Sequence, residues 1–163
     1  MNNYSCIVIF IIFGFNKKKM KTKTIEYALR STWQLITTMY NEKAMRYDAT
    51  MTMAFTLLSI ESEGTPSTAL GPKMGMESTS LSRLLNTMEE RGYIKRKPNP
   101  EDGRGVLIFL TDQGKEKREL SKKTVLEFNN GLLESIEKEK IEHFYEVIDA
   151  IKSQVEKKQL IQH

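Results

Sequence analysis

Hydrophobic and polar positions divide most of this chain into helical segments, with one short stretch that reads as strands. From about Thr24 to Arg46, Leu29, Trp33, Ile36 and Tyr40 recur at helical spacing, while Glu26, Arg30 and Glu42 lie away from that stripe. Asp48-Ala49-Thr50 breaks the pattern. A second helix is predicted from about Thr52, as N-cap, to Ser62, with Phe55, Leu58 and Ile60 apolar and Glu63-Gly64 ending it. Thr65 then reads as the N-cap of a third helix with Pro66 at its first position. Gly71-Pro72 removes a backbone donor there and crowds the preceding turn, which predicts a kink or early end, with Lys73-Met74-Gly75 as the turn.

The clearest periodicity follows. Leu81, Leu84, Leu85 and Met88 fall at i, i+3, i+4 and i+7 and share one face of a helix, opposite Thr79, Ser82, Arg83 and Asn86. Gly92 is a C′ glycine free to take positive φ. Tyr93–Lys97 and Val106–Leu110 are two short strands, and Pro98-Asn99-Pro100-Glu101-Asp102-Gly103-Arg104 between them is a turn expected to continue neither. Thr111 reads as the N-cap of a long helix to about Leu133, with Asp112 well placed for the helix dipole. A last helix from about Lys138 to Lys157 carries Ile141, Phe144 or Tyr145, Ile148, Ile151 and Val155 on one face.

Taken together, residues 65–111 predict helix, glycine turn, helix and basic hairpin. A helix with one core face and one row of short hydrogen-bonding groups suits a major groove, where base edges offer a readable pattern of donors and acceptors. On that reading Thr79, Ser82, Arg83 and Asn86 face bases, with Ser78 near the helix N-terminus and Ser80 at its flank. Lys95, Arg96, Lys97 and Arg104 hold the hairpin on phosphates or in the minor groove.

Here a resemblance becomes specific. Thr79-Ser80-Leu81-Ser82-Arg83-Leu84-Leu85, Met88-Glu89-Glu90-Arg91-Gly92-Tyr93-Ile94, Pro100-Glu101-Asp102-Gly103-Arg104 and Leu110-Thr111-Asp112-Gln113-Gly114 are similar to the MarR family of bacterial transcription regulators. Asp-x-Arg at the hairpin tip followed by Leu-Thr-x-x-Gly is among that family's more specific signatures. The likeness runs more loosely from about Ile25 to the C-terminus and leaves out the first nineteen residues; Gly71-Pro72 departs from the family pattern, and with it the usual contacts of the first motif helix. The resemblance implies a mainly α fold with a small β-hairpin wing, a winged helix-turn-helix. It also implies a homodimer in which the first helix (24–46) and the last two (112–160) interlock, and a near-palindromic operator in double-stranded DNA. It gives Asp102 the role of orienting the wing arginine. Small apolar or phenolic ligands bind such proteins between the dimer helices and the DNA-binding lobe, which makes Trp33, Tyr40 and Phe55 candidate lining residues; aromatics at that spacing equally serve as plain core.

Composition bounds the rest. The 163 residues are ordinary for one globular domain at 39% hydrophobic and 28% charged, with nine methionines for adaptable packing. The net charge of +4 misleads, because Lys17, Lys18, Lys19, Lys21 and Lys23 supply five charges and the remainder sums to −1. Distribution is more informative: residues 78–111 hold six basic residues against four acidic ones, between segments that are net negative. The single Cys6 excludes an internal disulfide, and two histidines give no His/Cys metal site. Glu139, Glu142, His143 and Glu146 share a helical spacing and read as a solvated face rather than a metal site. No phosphate loop, nucleophile elbow or Cys/His cluster is present, so neither an enzyme nor a cofactor is expected.

Residues 7–15, IVIFIIFGF, are about half the length a bilayer span needs. They follow no basic segment and precede no small-residue cleavage site, so they are not a secretory signal. The preferred reading takes Met20 as the true start, with 1–19 an upstream extension and 20–163 the functional domain; a membrane-surface anchor or a disordered tail are the alternatives. The expectation is a cytoplasmic, ligand-responsive repressor with no membrane partner. The reading left beside it is a winged-helix module for protein interaction or a membrane surface, without specific DNA binding.

Overall fold

The computed structural model describes residues 24–100 and 102–160, with side chains for 24–100 and 105–157. The expectations for residues 1–19 lie outside the described residues. The chain divides between Lys43 and Ala44 into two compact units.

Helix α1, Ile25–Met45, forms the described part of the first unit and carries its last two residues into the second. It starts where the Thr24 hydroxyl accepts the Tyr27 N–H at 3.2 Å. On the expected stripe, Leu29 and Trp33 are exposed, Ile36 is half-buried and Tyr40 is buried. Burial pushes the Tyr40 phenol above its ordinary pKa.

The second unit opens with α2, Met51–Ser59, two residues earlier in its cap than the sequence suggests. Thr50 is the N-cap, its hydroxyl accepting from Met53 N–H at 3.2 Å. Thr52 lies inside the first turn, where its carbonyl accepts the Thr56 hydroxyl at 2.8 Å. Accordingly Met53, Leu57 and Ile60 enter the core, while Phe55 and Leu58 are half-buried.

Thr65 is not a helix cap. Thr65–Pro66 forms a two-residue strand, β1, antiparallel to the later β3, with Thr65 opposite Ile108 and Pro66 opposite Leu107. The buried Thr65 hydroxyl instead accepts the Glu61 N–H at 2.9 Å. Gly64 turns the chain into this strand at φ 93, and a Cβ there would lie 2.5 Å from the Phe109 ring. The sheet is therefore three-stranded, ordered β1-β3-β2, rather than a simple hairpin.

Helix α3, Ser67–Met74, starts after Pro66 without a side-chain cap and continues through Gly71-Pro72. In so short a helix Pro72 falls in the last turn and forfeits a single backbone bond, so the expected early end does not occur. Gly75 closes it in the left-handed region at φ 61, with Met76 N–H donating to the Gly71 carbonyl at 3.0 Å.

Helix α4, Ser78–Glu90, buries Leu81, Leu85 and Met88 and half-buries Leu84, as its periodicity predicts. Gly92 follows at φ 72. Strands β2, Ile94–Asn99, and β3, Asp102–Leu110, pair antiparallel from Ile94 opposite Leu110 to Asn99 opposite Asp102. Both strands reach further into the turn than expected. Pro98 pairs with Val106, with an irregularity between Pro98 and Asn99; β2 is an edge strand, where a missing N–H costs no ladder bond.

Helix α5, Asp112–Ser135, is capped by Thr111, whose hydroxyl accepts Gly114 N–H at 3.0 Å, and it packs against α2. Helix α6, Lys138–Leu160, completes the described chain. Its core contributions are slight: Phe144, Tyr145, Val147 and Val155 are exposed, as are Leu126, Leu132 and Leu133 of α5.

Candidate nucleic-acid interface

The core of the second unit is made by α2, α3, α4 and the sheet, with Met53, Leu57, Ile60, Leu70, Leu81, Leu85, Met88, Tyr93, Ile94, Ile108 and Leu110 buried together. Burying that face of α4 turns Ser78, Thr79, Ser80, Ser82, Arg83 and Asn86 outward, and all six are exposed. The side chains of Ser78, Thr79, Ser80, Ser82 and Arg83 make no hydrogen bond or ion pair among the described residues. Thr87, one turn on, returns its hydroxyl to the Arg83 carbonyl at 3.1 Å and so is spent within the helix.

The basic residues split into two groups. Lys95 and Lys97 are exposed on the same face of β2, two residues apart. The Lys97 ammonium lies 5.1 Å from the centre of the Phe109 ring, a cation–π contact. Lys95 adds to the charge acting on Asp112, whose carboxyl is held below its ordinary range first by the Lys115 hydrogen bond and then by the Lys115 charge.

Arg91 and Arg96 are instead paired within the unit. Arg91 Nη1 donates to the Asp48 carbonyl and lies 3.2 Å from the Asp48 carboxylate, tying the end of α4 to the turn before α2. Asp48 holds that position in the left-handed region at φ 53. Arg96, expected on phosphate, reaches back to α4: Nη1 donates to Glu89 Oε2 and Nη2 donates to Asn86 Oδ1 at 2.7 Å. Its backbone N–H, on the open edge of β2, donates to Glu89 Oε1 at 3.1 Å. Sequence spacing carries no sign of this link, which depends on where the strand returns past the helix. The side chains of Asp102 and Arg104 lie outside the described residues.

The expected ligand-lining residues are Trp33, exposed on α1, Tyr40, buried one face-repeat further along, and Phe55, half-buried on α2. Among the described residues no cluster of three or more His, Cys, Asp or Glu could hold a metal, and no helix is long and apolar enough to cross a membrane.

A short helix, a left-handed glycine turn, a second helix with its polar row outward, and a basic β-ribbon together define a winged helix-turn-helix. Residues 50–106 match the MarR family model. It is similar to the uncharacterized HTH-type transcriptional regulator YdgJ of Bacillus subtilis, 31% identical over 86 residues, covering 53% of this chain and 52% of that one. It is also similar to the HTH-type transcriptional regulator SarZ of Staphylococcus aureus, 34% identical over 95 residues, covering 55% and 64%. The matched stretches thus span between half and two thirds of those relatives. Among solved structures, an S. aureus MepR–DNA complex superposes with a TM-score of 0.74 at 20% identity, over 81% of this chain and 98% of that one. At that identity the likeness is one of fold.

Proposed function

We propose that this protein is a sequence-specific regulator of transcription that binds double-stranded DNA through α4 and the β2–β3 wing. The observation that carries the proposal is the row of exposed, unpartnered hydrogen-bonding side chains on α4, Thr79, Ser82 and Arg83, beside the exposed Lys95 and Lys97. Core packing accounts for the opposite face of that helix and leaves this one to solvent. Arg83 reads a base edge, since a guanidinium pairs with guanine O6 and N7. Lys95 and Lys97 neutralise phosphates, and Arg104 with Asp102 extends the wing along the backbone or into the minor groove.

The protein acts as a homodimer on a near-palindromic operator, because two-fold symmetric readers take two half-sites about one helical turn apart. The exposed apolar side chains of α5 and α6 support this, since Phe144, Tyr145, Val147 and Val155 lie open to solvent in a single chain. The regulated output is repression in the cytoplasm, relieved by a small apolar or phenolic ligand, in keeping with the family. Selecting bound sequences from a randomised duplex library with the full chain tests the reading. The expected outcome is enrichment of an inverted repeat; recovery of unenriched sequence would overturn it and favour an interaction module.

A further inference from the structure

Arg96 does more than fasten the wing to α4. A guanidinium carries donors only and no acceptor, so the Asn86 atom 2.7 Å from Arg96 Nη2 has to be the amide oxygen. The amide is thereby oriented by chemistry, with Oδ1 toward the wing and the NH2 group away from it. Asn86 is exposed on the same face as Ser82 and Arg83. A free asparagine in the major groove pairs with adenine, because its acceptor and donor together match adenine N6–H and N7. Here the oxygen is turned toward Arg96, which takes one of its two lone pairs.

We propose that Arg96 sets the base preference of Asn86: with Oδ1 engaged, Asn86 presents N–H donors to the groove and selects guanine over adenine. Guanine is the partner because its major-groove edge offers two acceptors, N7 and O6, and no donor. Arg96 is a positioning residue in this scheme and touches no base. Glu89 supports it from two sides, accepting from the guanidinium through Oε2 and from the Arg96 backbone N–H through Oε1. The inference rests on the DNA-binding reading above.

The test is selection from a randomised duplex library by the full-length wild type, Asn86→Ala, Arg96→Ala and Asn86→Asp, with the bound fraction sequenced. Asn86→Ala flattens the preference at one position per half-site and so marks the base that Asn86 reads. At that position the wild type prefers guanine to adenine by about tenfold, within the range of one side-chain–base contact. Arg96→Ala frees Oδ1 and moves the preference to adenine there, leaving the other positions unchanged. Asn86→Asp keeps an oxygen for Arg96 but has no donor to offer, and moves the preference to cytosine, whose N4 amine donates. If Arg96→Ala does not fold, the wild type's choice between guanine and adenine at the marked position decides the matter. A wild type preferring adenine at the marked position, or an Arg96→Ala variant that weakens every sequence equally while keeping guanine, would overturn the inference. So would an Asn86→Ala variant that changes no position. A wild type that enriches no sequence would overturn the DNA-binding reading itself, a distinguishable result.

Discussion

Gly114 lies against the Tyr93 main chain so closely that a Cβ built on it would sit 1.9 Å from the Tyr93 carbonyl oxygen. The same carbonyl accepts the Thr111 N–H at 3.1 Å, and the Thr111 hydroxyl donates to the Gly92 carbonyl at 2.5 Å. Thr111 also caps α5 through Gly114 N–H. Leu-Thr-x-x-Gly is thus a joint: it seats the first turn of α5 against the exit of α4 at the base of the wing.

Gly114→Ala should therefore be strongly destabilising, by about 3 kcal/mol, because backbone rather than a flexible side chain opposes the new methyl. Gly131, later in the same helix, has nothing within 4 Å of its Cβ direction. Gly131→Ala should stabilise the chain by about 0.5–1 kcal/mol through helix propensity. Urea denaturation of the two variants checks the contrast. Equal effects would mean that the Tyr93 contact constrains nothing.

Thr50, and not Thr52, holds the start of α2. Thr50→Ala should cost about 1 kcal/mol, the usual loss of an N-cap, and Thr52→Ala less than about 0.5 kcal/mol. Thermal or chemical unfolding decides between them; the reverse order would return the cap to Thr52.

How much of this the sequence discloses depends on whether the signal is local. The α4 periodicity is local: Leu81, Leu85 and Met88 bury as their spacing requires, and Thr79, Ser82 and Arg83 are left outside. Thr65-Pro66 looks the same as a cap and first helical residue or as a strand, since two residues have no period; the partner Ile108 decides, and it is 43 positions away. Pro98 argues against a central strand but not against an edge strand, and only the sheet order makes β2 an edge. The Arg96–Asn86 contact had no sequence signal, because it joins a strand residue to a helix face across the turn at Gly92.

Phe144 and Tyr145 stand edge to face, with ring centres 5.7 Å apart, and both are exposed. If α6 forms the dimer, Phe144→Glu should raise the dimer dissociation constant about a hundredfold or more, because it buries an unpaired carboxylate. Analytical ultracentrifugation measures this directly. An unchanged dimer would remove Phe144 from the interface.

Lys95→Ala should weaken binding to all duplexes nearly equally and reduce the salt slope by about one unit per lost phosphate contact in each half-site. Titrations at several salt concentrations give the slope. A change in sequence preference instead would make Lys95 a reader of bases.

If the exposed face of α4 reads bases, Arg83 is the side chain that carries most of that reading. The direct measurement is a binding titration of wild type and Arg83→Ala on a selected operator and on its scrambled counterpart, at one salt concentration. Arg83→Ala should lose about 1–3 kcal/mol on the operator and little of that on the scrambled duplex, so that discrimination shrinks. Equal loss on both duplexes would contradict it, leaving Arg83 a phosphate contact and α4 without the reading role.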